Sequence, residues 1–342
     1  MPAEFEAIYD LVNDTFNIQR SRAEYDWLYR RNPYGIARCW VVFDRASERL
    51  VGSLAFWPWP MARGTHRVEG AQWGDFVVAP EWQRQGINGL QNHTWRSHAW
   101  QAETIALSWP NEKGRRAVIK NGHGAEIVGP MPKAVLLLNA KALIAGRNWP
   151  ALASAVGAVG GAVVDTVLTV WHKLVLRDQT GLAVEAVRRF DSSIDDVTQQ
   201  CLTWPRFWSP HDADFLNWRY LEHPTARHLA FALLDDGKLA GYYVLKIDGR
   251  GSWLMEFVAP VSPRRLGSEL LLHVIKTAQT AGCTHLQFSA PPRWRHWKLL
   301  RAAGFLPLPS EIYVWQPGEE PELRQPSMWQ WVPGHGLPLV GW

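Results

Sequence analysis

Hydrophobic periodicity divides the chain into short elements that alternate between helical and extended spacing. Phe5 to Phe16 reads as a helix, and Cys39 to Phe56 as a hairpin whose strands flank a polar turn. Ala71 to Ala79 is a strand closed by Pro80, Gly86 to Trp100 a helix, and Thr104 to Ser108 a strand. Glu112 to Asn121 and Ala125 to Val128 add a helix and a strand. This order predicts an α/β fold with a mixed sheet flanked by helices, not strictly alternating βα units. No strand precedes the first helix here, whereas Ala183 to Val187 can fill that place in the second half.

The same plan returns further along. Trp27-Leu28-Tyr29-Arg30-Arg31-Asn32-Pro33 is matched by Trp218-Arg219-Tyr220-Leu221-Glu222-His223-Pro224, an offset of 191 residues. Val77-Val78-Ala79-Pro80 is matched by Phe257-Val258-Ala259-Pro260, and Asn121-Gly122-His123 by Ala303-Gly304-Phe305, at offsets of 180 and 182. Matches in one order at nearly one offset predict a duplication. The expected division is residues 1–145, a helical linker at 146–180, and a second copy at 181–342.

Within that linker, Trp149 to Val164 carries no charge, but Asp165 interrupts it before the roughly 20 apolar residues a spanning helix needs. A close-packed helix at the domain junction, or one resting on a membrane surface through residues 149–171, is expected. The acidic start Met1 to Glu6 does not resemble a secretory signal, and a cytoplasmic location is expected.

Composition narrows the function without naming it. A chain of 342 residues with 47% hydrophobic and 20% charged positions suits two globular domains. Three scattered cysteines lack metal-ligand spacing, and no structural metal is expected. The net charge of +4 comes from dispersed pairs such as Arg115-Arg116 and Arg264-Arg265, with neither a dense basic stripe nor a nucleic-acid reading motif.

The most informative stretch runs Gly74-Asp75-Phe76-Val77-Val78-Ala79-Pro80-Glu81-Trp82-Gln83-Arg84-Gln85-Gly86-Ile87-Asn88-Gly89-Leu90. Unsatisfied amides at a helix start, approached through glycine, can cradle a pyrophosphate, and Arg84 can pair with it. In this context the stretch resembles the acyl-CoA-binding motif of the GNAT N-acyltransferase superfamily. Its pattern falls on Gln83, Gly86 and Asn88, where Asn88 departs from the usual small residue and Gly89 follows.

The resemblance implies two tandem GNAT-like domains, with acetyl-CoA or another acyl-CoA held by Gln83, Arg84, Gln85, Gly86, Ile87, Asn88, Gly89 and Asn111. It puts the backbone of Phe76, Val77 and Val78 against the pantetheine arm and thioester, where fixed donors meet developing negative charge. A neutral amine then attacks directly, which requires a base and an acid. Asp75 is the first candidate base, with a structural aspartate as the other reading. The superfamily's acid is a tyrosine whose position is Val118 here, leaving His123 or Tyr34 to supply the proton.

The second copy keeps Arg264 and Gly267 but sets Glu269 where phosphate would arrive, which marks it as a degenerate copy. The 21 tryptophans suit the core and domain seam, while one or two beside Arg or His could stack on a sugar. A small-molecule amine is the expected acceptor, with an amino sugar or sugar nucleotide as one candidate. The alternatives are an aminoacyl-tRNA-dependent transferase related to the peptidoglycan bridge-forming enzymes and a non-catalytic CoA-binding scaffold.

Overall fold

The computed structural model describes residues 2–96, 105–108, 114, 116, 125–130, 132–145, 151–176, 182–201, 207–308, 313–317, 322, 325 and 328–330. In the N-terminal half, helices α1 (Pro2–Phe16) and α2 (Arg22–Tyr29) precede β1 (Arg38–Phe43) and β2 (Leu50–Pro58). A short hairpin, β3 (Met61–Arg63) and β4 (His66–Val68), leads into β5 (Gly70–Val78), then α3 (Ile87–Arg96) and β6 (Ile105–Leu107). Ser21 starts α2 through a reciprocal capping box with Glu24, which satisfies donors at both positions.

The sheet order is β1-β2-β5-β6, with β5 and β6 parallel and the other pairs antiparallel. On one face α1 and α2 bury Tyr9, Tyr25 and Tyr29 against Ala55, Trp57 and Val77. Phe56, Trp73 and Trp95 pack together on the other face, under α3. Gly52 lets α3 sit this close, because a Cβ there would meet Ile87 Cγ2 at 3.0 Å.

Two further strands, β7 (Ala125–Pro130) and β8 (Lys133–Leu137), lead to α4 (Ala140–Ala145) and the long α5 (Ala151–Val175). The C-terminal half then runs through β9 (Leu182–Ala186), α6 (Ser193–Cys201), β10 (Phe207–Trp208), α7 (Ala213–Leu216) and one π-helical stretch, Asn217–Leu221. β11 (His228–Asp235), β12 (Lys238–Asp248), β13 (Gly251–Val258), α8 (Arg264–Thr280), β14 (His285–Ser289), α9 (Trp297–Ala302) and β15 (Leu306–Leu308) follow. β16 (Tyr313–Pro317) and β17 (Trp329–Gln330) complete the described elements.

The second sheet has the order β15-β8-β14-β13-β12-β11-β9. Its strand β8 comes from within the first 145 residues yet pairs with β14 and β15. In return, β16 from the C-terminal half pairs with β7. Each half thus lends a strand to the other, and the cut the sequence suggests at residue 145 falls beyond a strand that belongs to the second sheet.

The duplication is visible as symmetry at the seam. Pro80 and Pro260 follow equivalent strands, β5 and β13, each antiparallel to one neighbour and parallel to the other. The repeated tryptophans meet: Trp27 Nε1 donates to Trp218 O at 2.8 Å, and Trp218 Nε1 to Trp27 O at 3.0 Å. Their rings stack at 4.9 Å, and the buried Arg219 lies over Trp27 and Trp59 at 5.7 and 5.9 Å.

Candidate functional site

β5 pairs with β6 only from Gly70 to Gln72, so residues 73–78 have no ladder partner on that side among the described residues. On the β2 side the register slips between Ser53 and Ala55, a bulge that places Asp75 at φ +45°. A bulge leaves one residue unpaired and bends the strand. The combination opens a wedge along Phe76, Val77 and Val78, the residues the sequence assigns to the thioester arm. Gly74 makes room for it, since a Cβ there would lie 2.5 Å from the Trp57 ring.

Asp75 does not stand free. Its Oδ2 accepts from Arg20 Nη1 at 2.6 Å and from Tyr29 OH at 2.7 Å, and its Oδ1 accepts from Arg20 Nη2 at 3.2 Å. Both charged side chains are buried, at 3% and 6% exposure. A carboxylate fully engaged by a guanidinium and a phenol must break that pair to take a proton, so the geometry favours the structural reading of Asp75 over the base. Arg20, absent from the sequence-derived site, is its main partner, and burial together with the neighbouring Asp75 carboxylate pushes the Tyr29 phenol well above its usual range.

The second half repeats this hub with different chemistry. Tyr220 OH donates to Glu256 Oε1, and His211 Nδ1 lies 2.8 Å from the same carboxylate oxygen. Arg20 and His211 stand at the same 191-residue offset as the paired tryptophans. That offset was a usable sign in the sequence. The β12–β13 ladder also carries a register shift beside Glu256.

Past the wedge, Pro80–Trp82 forms a single 3₁₀ turn, and Gln83 Nε2 ties the loop back to Val78 O at 3.1 Å. Gln85 Nε2 donates to Glu81 O at 3.2 Å, while Glu81 itself is paired with Arg49 at 2.7 Å. Arg84 and Gly86 take φ +66° and +84°, turning the backbone sharply into α3 at Ile87. Among the described residues, a Cβ added at Gly86 or Gly89 would find nothing within 4 Å, so the helix start faces open space there. Arg84 is exposed, and no acidic residue occupies the first turn of α3. Asn88 turns inward along the helix, its Oδ1 accepting from Asn92 Nδ2 at 3.0 Å.

In the second half the counterpart of Gly86, Gly267, lies within α8 and is packed, while residues 261–265 at the helix start are exposed. A Cβ on Gly267 would meet Leu299 Cδ2 at 3.3 Å and His296 Nδ1 at 3.6 Å. His296 Nε2 donates to Ala259 O at 3.1 Å, and Phe257, Trp294 and His296 pack ring against ring at the end of β13. Glu269 is not the cause: α8 begins at Arg264, which moves Glu269 into the second turn, where it is buried. The packing of His296 and Leu299 against Gly267, and not Glu269, is what sets this place apart from Gly86.

Of the remaining sequence-derived residues, His123, Asn111 and Val118 lie outside the described residues. Tyr34 donates through its hydroxyl to Asp212 Oδ1, and Arg67 Nη2 reaches Asp212 Oδ2 at 2.8 Å. Burial and the Asp212 carboxylate push the Tyr34 phenol far above its ordinary range, which keeps it protonated. Tyr34 and Arg67 line a cavity of about 330 Å³ with Arg38, Phe56, Trp59 and Gly70, at the N-terminal end of β5. Trp59 is 2% exposed, and among the described residues its Nε1 has no acceptor.

Residues 1–114 match the family profile of the acetyltransferase (GNAT) domain. The N-terminal domain is a GNAT domain. A probable N-acyltransferase from Enterococcus faecalis is similar in structure at a TM-score of 0.63 and 12% identity, covering 92% of this chain and 70% of that one. A tandem GNAT protein of the clavulanic acid biosynthesis pathway is similar over 92% of this chain and 94% of its own, at 0.53 and 13%. N-myristoyltransferase from Saccharomyces cerevisiae, solved with myristoylCoA, matches at 0.53 and 11%, over 91% and 78%. No curated protein sequence matches the chain. The tandem GNAT arrangement read from the repeats is the fold observed.

Proposed function

We propose that the N-terminal half transfers an acyl group, with acetyl as the simplest case, from acyl-CoA to a small amine by direct attack on the thioester. The open helix start at Gly86, next to a bulged and splayed strand, is the observation that carries this reading. Free amides and Arg84 suit a pyrophosphate, and an unpaired strand edge suits the pantetheine arm. The backbone of Phe76 to Val78 would hold the thioester carbonyl, donors being fixed where negative charge develops.

Asp75, with both oxygens engaged, sets the bulge that aims those donors; as the C–N bond forms and the C–S bond breaks, the amine proton leaves to solvent and the expelled CoA thiolate takes a proton from solvent. The acceptor amine would approach along the Phe76 to Val78 edge, because the cavity beside Tyr34, Phe56 and Trp59 is too distant for a small amine bound there to reach the thioester. That cavity begins at Gly70, about 17 Å back along the strand from the bulge at Asp75 at a rise near 3.3 Å per residue. An amino sugar is one candidate for that amine. Steady release of free CoA thiol from acetyl-CoA in the presence of an amine panel tests the function. Tight CoA binding without thiol release under any of these amines supports the scaffold reading instead.

A further inference from the structure

Helix α5 carries its apolar residues on the wrong side for a helix that only packs on its own protein. Gly161, Asp165 and His172 form its inner stripe. A Cβ on Gly161 would lie 2.7 Å from the Lys141 backbone, so α4 and α5 touch closely there. Asp165 caps α4, accepting from Ala140 N at 2.6 Å and Lys141 N at 3.2 Å. His172 Nε2 donates to Ala303 O and Trp171 Nε1 to Ala302 O, both at 2.9 Å, which fixes the C-terminal end of α5 to α9.

The outer face is Val159, Val163, Val164, Val167, Val170, Trp171 and Leu174, exposed between 42% and 69%. At 100° per residue these positions cover a continuous arc of about 140°, centred opposite the inner stripe. Thr166, Thr169 and Lys173 flank that arc on one side. Leu143 on α4 is also 41% exposed. We infer that this face rests on an anionic membrane surface, with α5 lying flat in the interface.

Two observations favour lipid over a second copy of the chain. A partner helix covers a seam of two positions in seven, narrower than this arc, and would leave Val164 and Trp171 in water, whereas a lipid surface covers the whole width. The charges also fit: with Asp165 committed to the α4 cap, the exposed ionisable groups of α4 and α5 are Lys141 and Lys173, both basic. Basic groups beside an apolar face are drawn to anionic lipid. Among the described residues no helix is long and apolar enough to cross a membrane, which leaves the flat orientation.

Flotation of the full chain with phosphatidylcholine vesicles, with and without phosphatidylglycerol, tests the proposal. The wild type should float, more strongly with the anionic lipid and less at high salt. Val163→Glu with Val167→Glu should lower the bound fraction about tenfold or more, while Lys141→Glu with Lys173→Glu should remove only the dependence on anionic lipid. These are exposed positions, so an unchanged circular dichroism spectrum is expected and separates lost binding from lost folding. A lipid-free dimer in light scattering that the valine variant converts to monomer would overturn the proposal in favour of self-association. A wild type that fails to float with either lipid would overturn it outright.

Discussion

Arg20 and Asp75 stand 55 residues apart in the chain and meet at 2.6 Å inside the N-terminal domain, with Tyr29 on the same carboxylate oxygen. The pair joins the start of α2 to the bulge of β5, so it fixes the wedge from the side opposite the open helix start. Breaking one partner leaves a buried charge alone, which costs about 3–5 kcal/mol. Arg20→Met and Asp75→Asn should each lower unfolding stability by that order. A double variant, Arg20→Met with Asp75→Leu, should recover part of the loss in a denaturant titration. For Asp75→Asn, the acidic limb of the pH–rate profile should persist alongside the lower stability. A stable variant with that limb abolished would return Asp75 to the role of base.

The exchanged strands predict that the halves do not fold apart. Residues 1–145 alone carry β8 without β14 and β15, and lack β16 to pair with β7. That fragment should be unfolded or aggregated, and the full chain should melt in one calorimetric transition. Two separate transitions would contradict the exchange.

The seam predicts its own cost. Trp27→Ala removes the stacked partner and one half of the reciprocal indole-to-carbonyl pair with Trp218. A loss of about 3–5 kcal/mol is expected, as for other buried aromatic truncations. Urea titration of this variant against Trp208→Ala, at a partly exposed position, gives the comparison.

Acid should unfold the protein through histidines buried without charge. Burial pushes His296 and His223 down to about 4, and His228 to about 3. Because these folded values lie below the ordinary 6.5, the unfolded chain binds more protons between them. Stability is therefore complete above pH 6.5 and falls as pH drops toward 4, by about 1.4 kcal/mol per unit for each histidine. His296→Gln keeps a donor for Ala259 O and should make that pH dependence shallower in denaturant titrations.

The elements that were legible in the sequence are those decided locally. The strand ending at Pro80, the glycine turn and the helix after it follow from residues within one short stretch, and the repeats followed from their order. What the sequence hid is decided by distant partners. Nothing near Arg20 announces Asp75, nothing in Lys133 to Leu137 tells which sheet it joins, and Gly267 reads as an open turn until His296 and Leu299 fold over it. The shared offset of Arg20 and His211 was the one sequence sign of the buried hubs.

The central claim is that the N-terminal cradle alone takes the cofactor, and calorimetric titration with acetyl-CoA tests it through Arg84 and Arg264. Arg84 stands at an open helix start, so Arg84→Glu should remove most of the binding by deleting a charge-assisted contact and adding repulsion. Arg264 opens α8, where Gly267 is packed against His296 and Leu299 instead of facing open space as Gly86 does, so Arg264→Glu should leave the affinity within about twofold, as for a charge outside the interface. Loss of binding in Arg264→Glu with wild-type affinity in Arg84→Glu would contradict the account.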